Sequence, residues 1–276
     1  MTVHRILLAA IAASVLVAIA PEAQGSGTTT ITNCATNVTT NAVLANDLSC
    51  TGDGIVVGAP GITIDLRGFT IMGDGGAGDY GIDDFGGHDG VSVKNGVIRG
   101  FSDGIHAESA DRFSVSNVVS SGNAVWGIIV FGSKASIASS TAAGNGNYGI
   151  GVSGPSSSIK SSTASGNTFI GVSVTGDAGR ITSTTASGSQ YGMSIGGNVV
   201  SVKSSTASGN SLEGISITGD GAKLSGNSAD GNGFLNGGTD LNGLGIQVQN
   251  YVTAPAGKNT ARGNDDTDEC EPASLC

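Results

Sequence analysis

The chain has 276 residues, and 47 of them are Gly, about 17% against roughly 7% in an average protein. With 5 Pro, 12% charged and 4% aromatic residues, the chain is neither collagen-like nor a Pro-rich linker, a charge-rich disordered segment or a Leu/Glu/Lys/Arg-rich helical protein. A formal net charge of −10 excludes a basic surface for nucleic acid or anionic membrane.

Residues 1–25 read as a secretory signal peptide. Arg5 supplies the positive n-region, and Ile6 to Ala20 is an uncharged apolar run too short to span a bilayer comfortably. Pro21 hinders cleavage after Ala18-Ile19-Ala20, so cleavage is expected after Ala23 or Gly25; an uncleaved anchor is the alternative. No later stretch is long and apolar enough for a membrane span. The mature chain is therefore expected to be exported, periplasmic or extracellular, and monomeric.

Residues 26–52 are expected to form an N-terminal cap containing Cys34 and Cys50, and residues 265–276 an acidic C-terminal cap containing Cys270 and Cys276. An exported context favours disulfides. Three pairings are possible for these 4 Cys; Cys34–Cys50 with Cys270–Cys276 closes the shortest loops and is expected. Zinc ligation lacks both C-x-x-C spacing and a nearby His.

Between the caps, residues 53–264 are repetitive. A Gly precedes an apolar residue at Gly54, Gly81, Gly104, Gly127, Gly149, Gly171, Gly192, Gly214 and Gly245, in steps of 27, 23, 23, 22, 22, 21, 22 and 31. A second Gly series (Gly73, Gly100, Gly122, Gly144 onward) keeps step with it. Seven residues before the second series stand Leu66, Val93, Val115, Ile137, Ile159, Ile181, Val202 and Leu224; two before it, Ala142, Ala164, Ala186, Ala207 and Ala229. One after it, Asn123, Asn145, Asn167, Asn210 and Asn232 suggest a stacked amide ladder in a turn. Within a coil, Gly214-Ile215-Ser216-Ile217-Thr218 alternates with period two, which is strand. The period is too short for a helical solenoid, and the Leu ladder of a leucine-rich repeat is missing. An all-β, single right-handed parallel β-helix of about nine coils, with a period near 22 residues, is the expected fold.

The stretch from Gly61 to Ile71, followed by Lys94-Asn95-Gly96-Val97-Ile98-Arg99-Gly100-Phe101, resembles the opening of bacterial secreted right-handed parallel β-helix repeat proteins of the pectate-lyase-like group. Cys34 and Asp47-Leu48-Ser49-Cys50 resemble the same group. The resemblance implies the β-helix and, by analogy, polysaccharide handling: lyase, uronate epimerase and glycoside hydrolase members are known, and many members have no assigned role. The Asp-Pro-His-Glu of the epimerases and the Arg-Ile-Lys and Asn-Thr-Asp of the polygalacturonases are missing, so no catalytic residue carries over.

Candidate chemistry falls on coils two and three. Nine carboxylates lie between Asp65 and Asp111, together with His88 and His106; between Arg112 and Asn210 there is only Asp177. Asp83 and His106 hold the same offset from Gly81 and Gly104, so they are expected side by side on adjacent coils, with Glu108 on the same outward face. Asp84 breaks an apolar column or sits at a bulge. His106 is the expected general acid or base with Asp83 as its partner, Glu108 beside them, and Lys94 or Arg99 neutralising a uronate carboxylate. The expected partner is a polysaccharide or cell-surface glycan. A non-enzymatic structural or surface module is the alternative, which the few aromatic residues favour. A minor alternative is an ice-type hydroxyl array of Thr and Ser rows flanking the Ala column. The run Asp265-Asp266-Thr267-Asp268-Glu269 gives a weak signal for Ca²⁺.

Overall fold

The structure is a computed structural model that describes residues 27–233, 245–249, 259–264, 270–271 and 273–276. The expected signal peptide and the acidic run 265–269 lie outside the described residues. Among the described residues no helix is long and apolar enough to cross a membrane.

Each coil contributes three short strands, and each strand stacks in parallel on its counterpart in the next coil. One such coil runs Ile128–Phe131, Ser136–Ala138 and Thr141–Ala143; the next runs Tyr148–Ser153, Ser158–Lys160 and Thr163–Ser165. The stacking is residue for residue, with Ile128 beside Ile150, Ile137 beside Ile159 and Ala142 beside Ala164. We name the three faces in the order of those strands. Face one holds 11 described strands, and faces two and three form a joined sheet of 18. They are joined because Ser92–Arg99 and Ser114–Ser121 run through both without a break. The result is a right-handed parallel β-solenoid of about ten turns. The count exceeds the expected nine because Thr29–Ile31, Thr36–Val38, Ala42–Leu44 and Leu48–Ser49, inside the expected N-terminal cap, already pair into the faces.

The core is a set of vertical columns. Face one sends inward Ile105, Ile128, Ile150 and Val172; face two Val115, Ile137, Ile159 and Ile181; face three the smaller Ala142, Ala164 and Ala186, all buried. Each buried Ile or Val contributes about 1.5–3 kcal/mol. One column differs from the expectation. Ile64, not Leu66, pairs with Val93. The coil carrying Leu66 has two extra residues at the Arg67-Gly68 turn, and Leu66 instead fills the space beside Gly96. The expected Thr row (Thr141, Thr163, Thr185, Thr206) stacks in register on face three, and Ala143 interrupts the accompanying Ser row.

The turns are held by side chains that reach to the next coil. Gly122, Gly144 and Gly166 take φ of 61°, 62° and 60°, the left-handed region that turns the chain off face three. The Asn that follows each of them points inward. Asn145 Oδ1 accepts from Asn123 N and Nδ2 at 3.0 and 2.9 Å, and Asn167 Oδ1 accepts the same pair from Asn145. Ser189 interrupts this ladder, and its buried hydroxyl finds no partner among the described residues. A second ladder closes the corner between faces two and three, where Ser140 Oγ, Ser162 Oγ, Ser205 Oγ and Asn227 Oδ1 accept backbone N–H groups of the preceding coil.

Both expected disulfides form, Cys34–Cys50 and Cys270–Cys276. The first links residues 16 apart in sequence at the N-terminal end, a cross-link of about 3 kcal/mol in chain entropy.

Two substitutions test the ladder by urea unfolding. Asn145→Asp removes the donor that meets Asn167 and Ser120, and should cost about 1–3 kcal/mol. Ser189→Asn should restore the missing rung and gain about 1 kcal/mol. Equal midpoints for both variants and the parent would show that the amide stack does not hold the coils.

Candidate functional site

The site is built on face one by an interruption of strand alternation. In Asp103–Ala107, Gly104 and Ile105 both face inward: a Cβ on Gly104 would meet Ser120 Oγ, Asn123 Nδ2 and the Gly127 carbonyl. Two successive inward residues place Asp103 and His106 on the outer side together, three residues apart. The same step occurs in each coil, so the residue before each Gly of the first series also lies there. That column reads Asp53, Tyr80, Asp103, Trp126, Tyr148, Ile170, Tyr191 and Glu213.

Asp83 and His106 are paired in register on adjacent strands, as expected, about 4.8 Å apart at the backbone. Their side chains, however, have different partners. His106 Nδ1 lies 2.8 Å from Asp103 Oδ2, and Nε2 lies 3.2 Å from Glu108 Oε1. Asp83 Oδ1 instead accepts the Phe85 backbone N–H at 2.9 Å. The partner of His106 is therefore Asp103, which the sequence reading counted among the acids without a role. Asp103 Oδ1 also accepts the Trp126 N–H at 3.1 Å, which ties this carboxylate to the next coil.

Aromatic rings enclose the imidazole. Tyr80 stacks on it at 4.6 Å between centroids, Phe85 and Trp126 each at 5.9 Å, and Phe131 approaches at 6.1 Å. His106 is only 5% exposed. Burial disfavours its charged form, but the hydrogen bonds to Asp103 and Glu108, and their charges, outweigh burial and raise its pKa. In the imidazolium both ring N–H groups donate, one to each carboxylate. Asp83 has a raised pKa, first because it is half-buried and further because of the Asp53 charge, against the opposing Phe85 N–H and His106. Of the residues in this cluster, Glu108 has the open carboxylate, with its side chain 36% exposed.

Lys94 and Arg99 are not at this site. Both lie on Ser92–Arg99, which crosses faces two and three. Lys94 Nζ is 3.6 Å from Asp65, and Arg99 lines a shallow hollow of about 390 Å³ with Met72, Gly73 and Ser121. Four of the nine carboxylates of the acidic window are also spent on turns. Asp65, Asp74, Asp89 and Asp111 each accept a backbone N–H. Asp84 keeps the core register beside Ala107 and is fully buried. The His88 ring nitrogen meets it at 2.7 Å, and the His88 backbone N–H lies at 3.1 Å. Burial raises its pKa, and the His88 bonds oppose that. This pair pins the loop that carries Phe85.

The aromatic stripe extends beyond the His106 cluster. Trp126 lies 6.3 Å from Tyr148, Tyr148 stacks on Phe169 at 5.9 Å, and Phe169 meets Tyr191 edge-on at 5.4 Å. Counted over the whole chain, aromatics looked too few for a sugar face; counted by column, they gather on one. The signal was legible in the residue preceding each Gly of the first series. Among the described residues, no group of three or more His, Cys, Asp or Glu is arranged to hold a metal ion, and the expected Ca²⁺ run lies outside them.

No protein-family model matches the chain, and no curated protein matches it. Solved structures of similar fold include the Dettilon tailspike protein, at a TM-score of 0.56 and 12% identity over 80% of this chain and 55% of the tailspike. This chain therefore spans about half of that protein. The A-module of the Azotobacter vinelandii mannuronan C-5 epimerase AlgE4 gives 0.51 and 16% over 82% and 83% of the two chains. Pectate lyase Pel9A gives 0.45 and 16% over 86% and 69%. A parallel β-helix is thus the fold of this chain.

The His106 cluster should show in the pH dependence of stability. Its folded pKa is raised, so its stabilisation is complete below the ordinary imidazole value of about 6.5 and is lost as pH rises through the folded value. Thermal melts should show a falling limb on the alkaline side that His106→Gln abolishes. An identical limb in the variant would remove His106 as its source. Breaking the buried Asp84 pair with His88→Ala should cost about 3 kcal/mol, and adding Asp84→Val should recover most of it. A double variant no more stable than His88→Ala would show that the pair is needed for more than neutralising a buried charge.

Proposed function

We propose that the protein binds a polysaccharide on face one and hydrolyses it at the cluster around His106. The observation that carries this reading is the Asp103–His106–Glu108 chain, which ends in an open carboxylate, runs through an imidazole inside an aromatic surround and has Asp83 in register beside His106. Similar folds, among them a mannuronan C-5 epimerase module, support polysaccharide as the class of partner.

In this reading Asp83 is the acid. Burial and Asp53 raise its pKa, which favours the protonated form that gives its proton to the glycosidic oxygen as the C–O bond breaks. Glu108 is the base, taking the proton of a water that forms the new bond to the anomeric carbon. The sum is addition of one water across one glycosidic bond. His106, expected from the sequence to be the acid or base itself, has both nitrogens engaged and becomes a positioning residue that aims Glu108. Lys94 and Arg99, on other faces, have no part in it.

The enclosure of His106 also favours a second reading, a glycan-binding face without turnover. Reducing-end assays on a panel of polysaccharides separate the two. Hydrolysis predicts new reducing ends, lost by about 10²-fold or more in kcat with either Glu108→Gln or Asp83→Asn, and a rate that falls as pH rises through the raised pKa of Asp83. Binding with no new reducing ends leaves the second reading, and turnover unchanged in both variants rejects the assignment of the pair.

A further inference from the structure

We propose that the occupant of face one is a linear, uncharged polysaccharide lying along the solenoid axis on the stripe from Trp126 to Tyr191. This rests on the polysaccharide reading above and adds its chemical class, where the sequence left acidic and neutral chains both open.

Charge supplies the first argument. None of the described strands of face one carries a Lys or Arg, whereas Lys94, Arg99, Lys160, Arg180, Lys203 and Lys223 all lie on strands of the other two faces. Face one instead carries or borders Asp53, Asp83, Asp103, Glu108 and Glu213 against the imidazole of His106, the neighbouring His88 being bound to Asp84. A polyuronate laid here would meet like charge at both ends of the stripe, with no Lys or Arg on the described strands of this face to neutralise it. An uncharged chain meets no such barrier.

Shape supplies the second. The outward column beside the rings narrows to Gly151, Ser173, Ser194 and Ser216 beyond Ile129. This leaves a trough of small and hydroxyl-bearing residues along the aromatic row. Coils repeat about every 4.8 Å, close to the advance per residue of an extended pyranose chain, so successive sugars can meet successive coils in the same way. Phe169 is 37% exposed, and rings of this kind offer apolar faces to the C–H surface of a sugar. Glu213 and Ser216 close the far end; burial raises the Glu213 pKa against its bond to Ser216.

The test is calorimetric titration of the full exported chain with uncharged hexasaccharides (cello-, manno- and N-acetylchito-), their disaccharides, and hexamers of galacturonate and mannuronate. At least one uncharged hexamer should bind, its disaccharide should bind far more weakly, and the uronates should bind at least about tenfold less tightly, with the gap closing in high salt. Tyr148→Ile copies Ile170 of the same column, so the fold tolerates it; it should weaken the uncharged hexamer about tenfold with the melting temperature held. Ser173→Lys with Ser194→Lys should bring uronate binding up. Uronates binding more tightly than every uncharged chain, or Tyr148→Ile leaving the uncharged affinity intact, would overturn the inference while leaving polysaccharide binding in place. Uncharged binding without turnover supports the inference and rejects hydrolysis; no binding in either set overturns both.

Discussion

The backbone N–H and C=O groups of each coil can be satisfied only by the coils above and below, at one fixed spacing. That constraint forces residue-for-residue register, and register turns a sequence period into vertical columns. A column deep inside must be apolar or carry a group that bonds its neighbour. Ile and Val columns meet the first condition. The Asn ladder meets the second, with each amide accepting from the rung before it. Asp84 is an inward exception, fully buried, and it persists because His88 reaches back to it in the same loop.

On the outside, the same register builds the site. A carboxylate or ring that is solitary in its own coil acquires neighbours from the coils on either side. Asp103 shows both halves of this. It bonds His106 within its coil and the Trp126 backbone in the next. The outer side of face one consequently gathers rings, an imidazolium and carboxylates, while lysines and arginines occupy the other faces. This segregation of charge separates the molecule into a side suited to an uncharged chain and sides that are ordinary solvated sheet.

The first turn, read as a cap, and the column place of Ile64 were not legible in the sequence, but the period, the strand type and both disulfides were, because each follows from spacing. So was the pairing of Asp83 with His106, since both stand at one offset from Gly81 and Gly104. What spacing could not supply was which atoms meet. Simple alternation places Asp103 on the core side with Ile105 and Ala107. The inward pair Gly104-Ile105 breaks that alternation and turns Asp103 outward onto His106. The same step hid the aromatic column, because by simple alternation the residue before the Gly reads as part of the turn. Lys94 and Arg99 were near the site in sequence but lie on the other two faces in space, since Ser92–Arg99 runs straight across a corner.

The central claim is that one outer face, marked by its rings and its lack of cations, is where a glycan sits. A crystal soaked with an uncharged hexasaccharide tests it most directly. The account predicts sugar density running along the axis over Trp126, Tyr148 and Phe169, with one residue within hydrogen-bond reach of Glu108. Density on face two or three, against Lys160, Lys203 or Arg99, would contradict it.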